Sequence, residues 1–329
     1  MLKVGLIGNG SISNRHKNVY AQMAKEGGLA VVEAYCDVVP ENLKGLEGRL
    51  YTDIDQMLEQ EQGRLDYVDV CLPTFLHMDV AVKAMEKGFH VLCEKPMALN
   101  PEQCEKMLEV SRKTGKTLMI AHCNRFMPVI ELIQETMAAG TLGAVRNAEF
   151  RRDSAGPRMT SWLRQGKLSG GAAVDTHVHD TDLIRCLFGM PKAVSATGIS
   201  VATADGYDVL SAHYLYENGM FAHATCNWAL PNNKFNSRSI RVNFEKGYIF
   251  CDRTSGREAF CLVTEDGTVT DLTEKLDNSF FYKEIAYFAD CIANQKPVDR
   301  CRPEEAADAI RIVMAELQSM EQNCEKVTL

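Results

Sequence analysis

The 329-residue chain carries 36 basic against 44 acidic residues, a net charge of −8, with 46% hydrophobic and 24% charged residues. Its length makes two domains the natural expectation, and its composition is that of globular chains. An acidic background without a basic stripe argues against a nucleic-acid partner, and no run of about 18 or more apolar residues is present to span a membrane.

The chain opens MLKVGLIGNGSIS, an apolar run interrupted by glycines and followed by no small-residue cleavage site, so no signal peptide is expected and a cytoplasmic location is. The 12 cysteines are ten or more residues apart throughout. That spacing offers no C-x-x-C pair, so they are expected to be buried thiols of a reducing compartment and no metal is expected.

Over the first 120 or so residues, short apolar runs alternate with helix-patterned segments, the βαβα signature of a parallel sheet. The runs are Leu2 to Ile7, Val31 to Cys36, Tyr67 to Leu72, Phe89 to Cys93 and Thr117 to Ala121. Between the first two, Ile12, His16, Val19, Tyr20 and Met23 recur at helical spacing. Asn100-Pro101-Glu102 announces a later helix, an N-cap followed by proline, which closes near Thr114-Gly115.

Beyond Pro128 the pattern changes. A helix from about Val129 to Ala139 ends at Gly140, and alternating strands follow at Val145 to Arg152, Lys192 to Ala202, Asp208 to Tyr216, Met220 to Trp228 and Ser239 to Phe244. Glu217-Asn218-Gly219 and Glu265-Asp266-Gly267 are hairpin signals. Helices are expected near 172–188, 281–294 and 303–321. The fold class is thus an α/β Rossmann domain over residues 1–122, joined to an α+β domain with a large mixed or antiparallel open-faced sheet over residues 123–329. The two are expected to pack around a shared cleft.

Gly8-Asn9-Gly10-Ser11-Ile12-Ser13 follows the first strand and opens the first helix, the setting in which a Gly-x-Gly turn brings backbone N–H groups to a pyrophosphate. Serine stands at the third small position. Asp37 ends the second run, where a carboxylate accepts from both ribose hydroxyls and repels a 2′-phosphate. NAD is therefore expected over NADP.

Three segments together resemble the Gfo/Idh/MocA family of sugar and cyclitol dehydrogenases. They are Gly8 to Ser13 with His16; Leu72-Pro73-Thr74-Phe75-Leu76-His77 with Glu94-Lys95-Pro96; and Gly170-Gly171 through Asp175, His177 and His179 to Leu183. Their order and separations match over nearly all of residues 1–190. The resemblance implies that Lys95, Asp175 and His179 form the catalytic set. It also implies that Leu72, Pro73, Thr74, His77 and Glu94 lie with the cofactor, that Asn124, Arg125, Arg152 and Trp162 lie where substrate binds, and that the Lys95-Pro96 bond is cis.

The chemistry of these residues agrees. Oxidising an alcohol by hydride transfer needs a group to take the hydroxyl proton, and histidine titrates in the right range. A lysine at the carboxyl end of a parallel strand sits where such sheets bind ligands, and its ammonium stabilises negative charge on the reacting oxygen. On an α-helix Asp175 and His179 face the same way; on a strand His177 and His179 would, opening a metal site with Asp175. Val174, Val178, Leu183 and Leu187 favour the helix.

The expected activity is an NAD-dependent dehydrogenase acting on a secondary alcohol of a sugar, sugar derivative or cyclitol. Two alternatives stand beside it: a redox-assisted glycoside-cleaving enzyme that oxidises, eliminates and re-reduces, and a sugar-sensing regulator without chemistry. The open face of the second sheet, taken as apolar, is expected to form a homodimer or homotetramer.

Overall fold

The computed structural model describes residues 1–231 and 236–329. Six strands, β1 (Leu2–Ile7), β2 (Ala30–Cys36), β3 (Arg49–Tyr51), β4 (Tyr67–Val70), β5 (His90–Glu94) and β6 (Leu118–Ala121), form a sheet in the order β3-β2-β1-β4-β5-β6. Every pairing in it is parallel. Parallel neighbours need long crossovers, and α1 (Ser13–Lys25), α2 (Ile54–Gln60), α3 (His77–Glu86) and α4 (Pro101–Thr114) lie in the connections.

β4 and β6 are buried at every position, as strands covered on both faces must be. The strand order reverses between β1 and β4, so the loops after them part at a switch point, where open α/β sheets bind ligands. α1 buries His16, Val19, Tyr20 and Met23, the face its spacing predicts. In α4 the Asn100 side chain accepts from the Gln103 N–H, Pro101 takes the first turn, and Gly115 in a left-handed conformation ends the helix. β3 and α2 fall outside the elements expected from sequence; the Asp53 side chain starts α2 by accepting from the Gln56 N–H.

Among the described residues the second sheet has nine strands. After α5 (Pro128–Ala139) come β7 (Val145–Asp153), α6 (Gly166–Ser169), α7 (Val178–Phe188), β8 (Ala193–Ile199), β9 (Val209–Leu215), β10 (Phe221–Asn227), β11 (Ser237–Phe244), β12 (Gly247–Thr254), β13 (Arg257–Thr264) and β14 (Val269–Asp271). The chain ends through α8 (Phe280–Ala293), α9 (Pro303–Glu321) and β15 (Val327–Thr328). The order is β14-β13-β12-β11-β7-β10-β9-β8-β15; β7 and β10 run parallel and the other pairs antiparallel.

Alternation sorts this sheet's side chains by face. Leu210, Ala212 and Tyr214 of β9 and Ala222, Ala224 and Cys226 of β10 are buried, while their neighbours are partly or fully exposed. The open face is mixed rather than apolar: His213 stacks on His223 with ring centroids 4.5 Å apart, and the Arg241 guanidinium lies 4.0 Å over the Tyr248 ring. Exposed Ile199, Leu215 and Phe221 add apolar area.

The chain divides into two compact units, residues 1–123 with 279–307 and residues 124–278 with 308–329. α8 therefore packs in the first unit, with Phe288 edge-on to Tyr67 at 5.1 Å, so the chain changes unit three times where one change near residue 122 was expected. Among the described residues, no helix is long and apolar enough to cross a membrane.

Candidate active site

The turn after β1 is built for a close ligand. Gly8 has φ +93°, and a Cβ there would lie 2.4 Å from the Cys71 carbonyl oxygen, so only glycine fits. A Cβ on Gly10 would meet nothing within 4 Å, which leaves open space over the turn. Ser13, the departure from the usual glycine or alanine, is fully buried and donates from Oγ to the Gly10 carbonyl at 2.8 Å. Ser11 and Ile12 lead into α1, whose start has no side-chain cap and no acid in its first turn, so its N–H groups and dipole favour an anion.

Asp37 stands beside this turn. One carboxylate oxygen accepts from the Asn9 N–H at 2.7 Å and the other from the Val39 N–H at 2.8 Å, which fixes its plane. Each oxygen keeps a second lone pair. The Asn9 side-chain oxygen is itself buried and finds no hydrogen-bond partner among the described residues. A glycine cradle, an uncapped helix start and an oriented carboxylate fit a dinucleotide without a 2′-phosphate.

At the ends of β4 and β5 the side chains turn inward. Leu72 and Pro73 are half-buried, while Thr74 and His77 are buried. The His77 ring sits between two carbonyl oxygens, with Nδ1 2.8 Å from that of Pro96 and Nε2 2.8 Å from that of Leu72. Burial holds its pKa below the ordinary value against the pull of those carbonyls. The Lys95-Pro96 peptide is cis, as the family resemblance implies. Lys95 is half-buried beside it.

Sequence reasoning missed the network beneath Lys95. His16 is fully buried, with Nδ1 2.8 Å from Asp69 and Nε2 3.0 Å from Glu94. The second Glu94 oxygen accepts from the Lys95 N–H at 3.0 Å, so the Glu94 side chain is engaged within the unit. Burial lowers the His16 pKa but the Asp69 carboxylate more than offsets it, holding the ring well above its ordinary value. Burial likewise raises Glu94, and the His16 bond overcomes it to leave the carboxyl below its usual range. Atoms of His16, Asp69 and Cys71 lie within 4.8 Å of one another, and both His16 nitrogens are already bonded to carboxylates.

In the second unit, Asp175 lies in a π-helical turn, Ala173–His177, that runs into α7. This corrects the uniform α-helix expected from Val174, Val178, Leu183 and Leu187: one extra residue per turn is inserted, as often happens at functional sites. Asp175, Thr176 and His179 are half-exposed while His177 is sealed, so the segment is no strand and His177 does not share a face with His179. The Thr176 hydroxyl donates to Asp175 at 3.0 Å. His177 Nε2 lies 3.0 Å from the Tyr214 hydroxyl and 3.3 Å from Glu316, which also accepts from Tyr214 and Thr181.

Arg125 and Arg152 are almost sealed, and each fork grips a carboxylate of α7. Arg125 bonds Asp182 at 2.9 and 2.6 Å, and Arg152 bonds Asp180 at 3.0 and 2.7 Å. These bidentate pairs fix the helix that carries His179. Asn124 is buried, its side-chain oxygen 3.5 Å from Arg238. Trp162 is half-buried in a short turn whose last residue, Arg164, donates to Pro157 and to the buried Asp208. Asp208 also accepts from the Trp228 indole, pinning the Trp162 segment from below.

A parallel sheet of this order, with a glycine turn and an oriented carboxylate after β2, defines the class: a dinucleotide-binding Rossmann protein carrying a second α+β unit. The chain belongs to the Gfo/Idh/MocA oxidoreductase family, whose NAD-binding Rossmann-fold model matches residues 2–122 and whose C-terminal domain model matches residues 130–250. It is an NAD-binding oxidoreductase. UDP-N-acetylglucosamine 3-dehydrogenase of Acidithiobacillus ferrooxidans is 25% identical over 304 residues, 90% of each chain. 2,7-Anhydro-N-acetylneuraminate hydratase of Mediterraneibacter gnavus is 30% identical over 244 residues, 69% of this chain and 64% of the other. Among solved structures, levoglucosan dehydrogenase in complex with NADH and levoglucosan superposes with a TM-score of 0.88 at 20% identity, covering 99% of both chains.

Proposed function

We propose that the protein is a dehydrogenase that uses NAD in preference to NADP and oxidises a secondary alcohol of a sugar, sugar derivative or cyclitol, or reduces the corresponding ketone. The observation that carries the reading is Lys95. It is a half-buried ammonium on the residue after β5, at the carboxyl edge of the parallel sheet.

NAD, when bound, supplies the hydride acceptor. The chain supplies the rest. The turn at Gly8, Asn9 and Gly10 with Ser11 and Ile12 receives the pyrophosphate, Asp37 the adenosine ribose, and the loops at Leu72 to His77 and Glu94-Lys95 flank the nicotinamide half. His179 takes the proton of the reacting hydroxyl while the Lys95 ammonium hydrogen-bonds that oxygen. Asp175, steadied by Thr176, accepts from a neighbouring hydroxyl. Asn124 and Trp162 hold the sugar, and Arg125 and Arg152 position the helix behind it. With NAD and a panel of myo-inositol, D-glucose, methyl β-D-glucoside and UDP-N-acetylglucosamine, NADH absorbance should rise for at least one member. Lys95→Ala and His179→Ala should each lower turnover about a hundredfold or more; near-wild-type rates would defeat the assignment.

A second reading has one observation in its favour. The Mediterraneibacter relative is named a hydratase, and a hydration involves no net redox change. In that reading the alcohol is oxidised to a ketone, a group β to it is eliminated with a proton, water adds to the double bond so formed, and the hydride returns to reduce the ketone. Product formation at catalytic NAD, without NADH accumulation, separates it from the first. The open sheet face, with Ile199, Leu215 and Phe221 exposed, supports a homodimer or homotetramer. Light scattering that finds only monomer at micromolar concentration would remove that part.

A further inference from the structure

We propose that His16 and His77 are positioning residues for Lys95: two buried imidazoles grip the backbone on either side of it and so fix where its ammonium can reach. The proposal deepens the reading above and rests on Lys95 bonding the reacting oxygen.

A lysine head swings on four methylenes, so the place it reaches depends on how firmly its own peptide is held. On the near side the hold begins at Asp69. Its carboxylate accepts from the Tyr20 hydroxyl at 2.8 Å and from His16 at 2.8 Å, and Tyr67 in turn donates to Tyr20 at 3.1 Å. His16 carries the chain on to Glu94 at 3.0 Å, and Glu94 ends it on the Lys95 N–H at 3.0 Å. A protonated ring between two carboxylates makes both bonds charge-assisted, about twice as strong as neutral ones. On the far side, His77 Nδ1 lies 2.8 Å from the Pro96 carbonyl and Nε2 2.8 Å from that of Leu72; a neutral ring donates one N–H, and from Nδ1 it ties the turn after β4 to the loop after β5.

A network serving only stability would be an expensive choice, since apolar side chains of the same volume are often as stable as buried ions. This one has a direction. His16 and Asp69 are completely buried, Glu94 is 6% exposed, and the next residue, whose amide ends the chain of bonds, is the half-exposed Lys95.

The test is a double-mutant cycle on the full-length protein with His16→Gln, His77→Gln and Lys95→Ala. Its readouts are NADH affinity by fluorescence, thermal melting, and kcat and KM with NAD and the fastest member of the panel above. Each histidine variant should lose tenfold to a hundredfold in kcat, roughly the effect of displacing a reacting group by about 1 Å, and His16→Gln, which lies outside the cofactor loops, should bind NADH within about twofold of wild type. In the Lys95→Ala background the same substitutions should cost nothing further, because the group they position is gone. An equal loss in both backgrounds, or unchanged kcat, would overturn the proposal. So would failure of both histidine variants to fold, which would make these residues structural; if only one folds, its cycle decides. Near-wild-type turnover of Lys95→Ala alone would instead remove the reading of Lys95 beneath the proposal.

Discussion

At Asp37 both carboxylate oxygens already hold a backbone N–H, from Asn9 and from Val39, so the group is oriented before any ribose arrives. Two charge-assisted bonds to ribose hydroxyls are worth about 1.5–3 kcal/mol each. Asp37→Ser, whose hydroxyl can keep one partner, should therefore lose about one such bond, weakening NAD binding by roughly tenfold to a hundredfold and narrowing the gap to NADP. Titrating both cofactors checks this, and an unchanged preference would show that Asp37 does not select. Gly8→Ala is harsher: the new methyl would sit 2.4 Å from the Cys71 oxygen, so NAD binding should be abolished or the turn displaced. Both residues were legible in the sequence because a tight turn and a strand-end acid are written in a few consecutive letters. His16 was legible only as a helix-face residue. Nothing near position 16 names Asp69 or Glu94, and a bond across 53 or 78 residues leaves no local pattern.

At the scale of elements, α7 is held by ionic clamps rather than by its apolar stripe alone. Arg125–Asp182 and Arg152–Asp180 are buried, and removing one member leaves the other charge without compensation. Asp182→Ala should cost about 3–5 kcal/mol of stability in urea denaturation, whereas an exposed pair such as Lys106–Glu109 should cost under about 1 kcal/mol. Equal effects would contradict the burial argument. The helix over 178–188 was legible from its period. The π turn before it was not, because Val174 and Val178 suit an unbroken α-helix and the insertion is anchored by Tyr214 and Glu316, far along the chain. β12 and β13 escaped for another reason. Asp252, Arg253, Arg257 and Glu258 are polar residues on half-exposed strands, so too little apolar alternation remained to mark a strand.

Across the whole molecule, buried carboxylates couple stability to pH. Asp208 accepts backbone N–H groups from Val201, Ala202 and Thr203; burial raises its pKa, but the Thr203 hydroxyl and these amides drive it well below the ordinary 3.8. A depressed carboxyl stabilises the fold fully above its unfolded value, and that stabilisation is lost as pH falls through the folded value. His16 has the opposite sign: its contribution is complete below the unfolded value of 6.5 and is lost only as pH rises through its elevated folded value. Melting should therefore fall in acid, and the part that His16 contributes should decline as pH rises from 6.5 towards its folded value. Asp208→Asn should start lower at about pH 7 and lose less on the way to about pH 3; parallel curves would contradict this. The two sheets were legible from the switch between continuous and alternating apolar runs. The return of residues 279–307 to the first unit was not, because a helix period records that a face is buried and not what covers it.

Hydride transfer itself is the claim on which the functional account turns. A sugar or inositol deuterated at its carbinol carbons, incubated with enzyme and NAD, should deliver deuterium to C4 of the nicotinamide, read by mass spectrometry of the reduced cofactor, free or released from the quenched enzyme. Transfer that is strong in wild type and lost in Lys95→Ala and His179→Ala is the predicted result. A protein that binds NAD yet moves no deuterium from any member of the panel would contradict it.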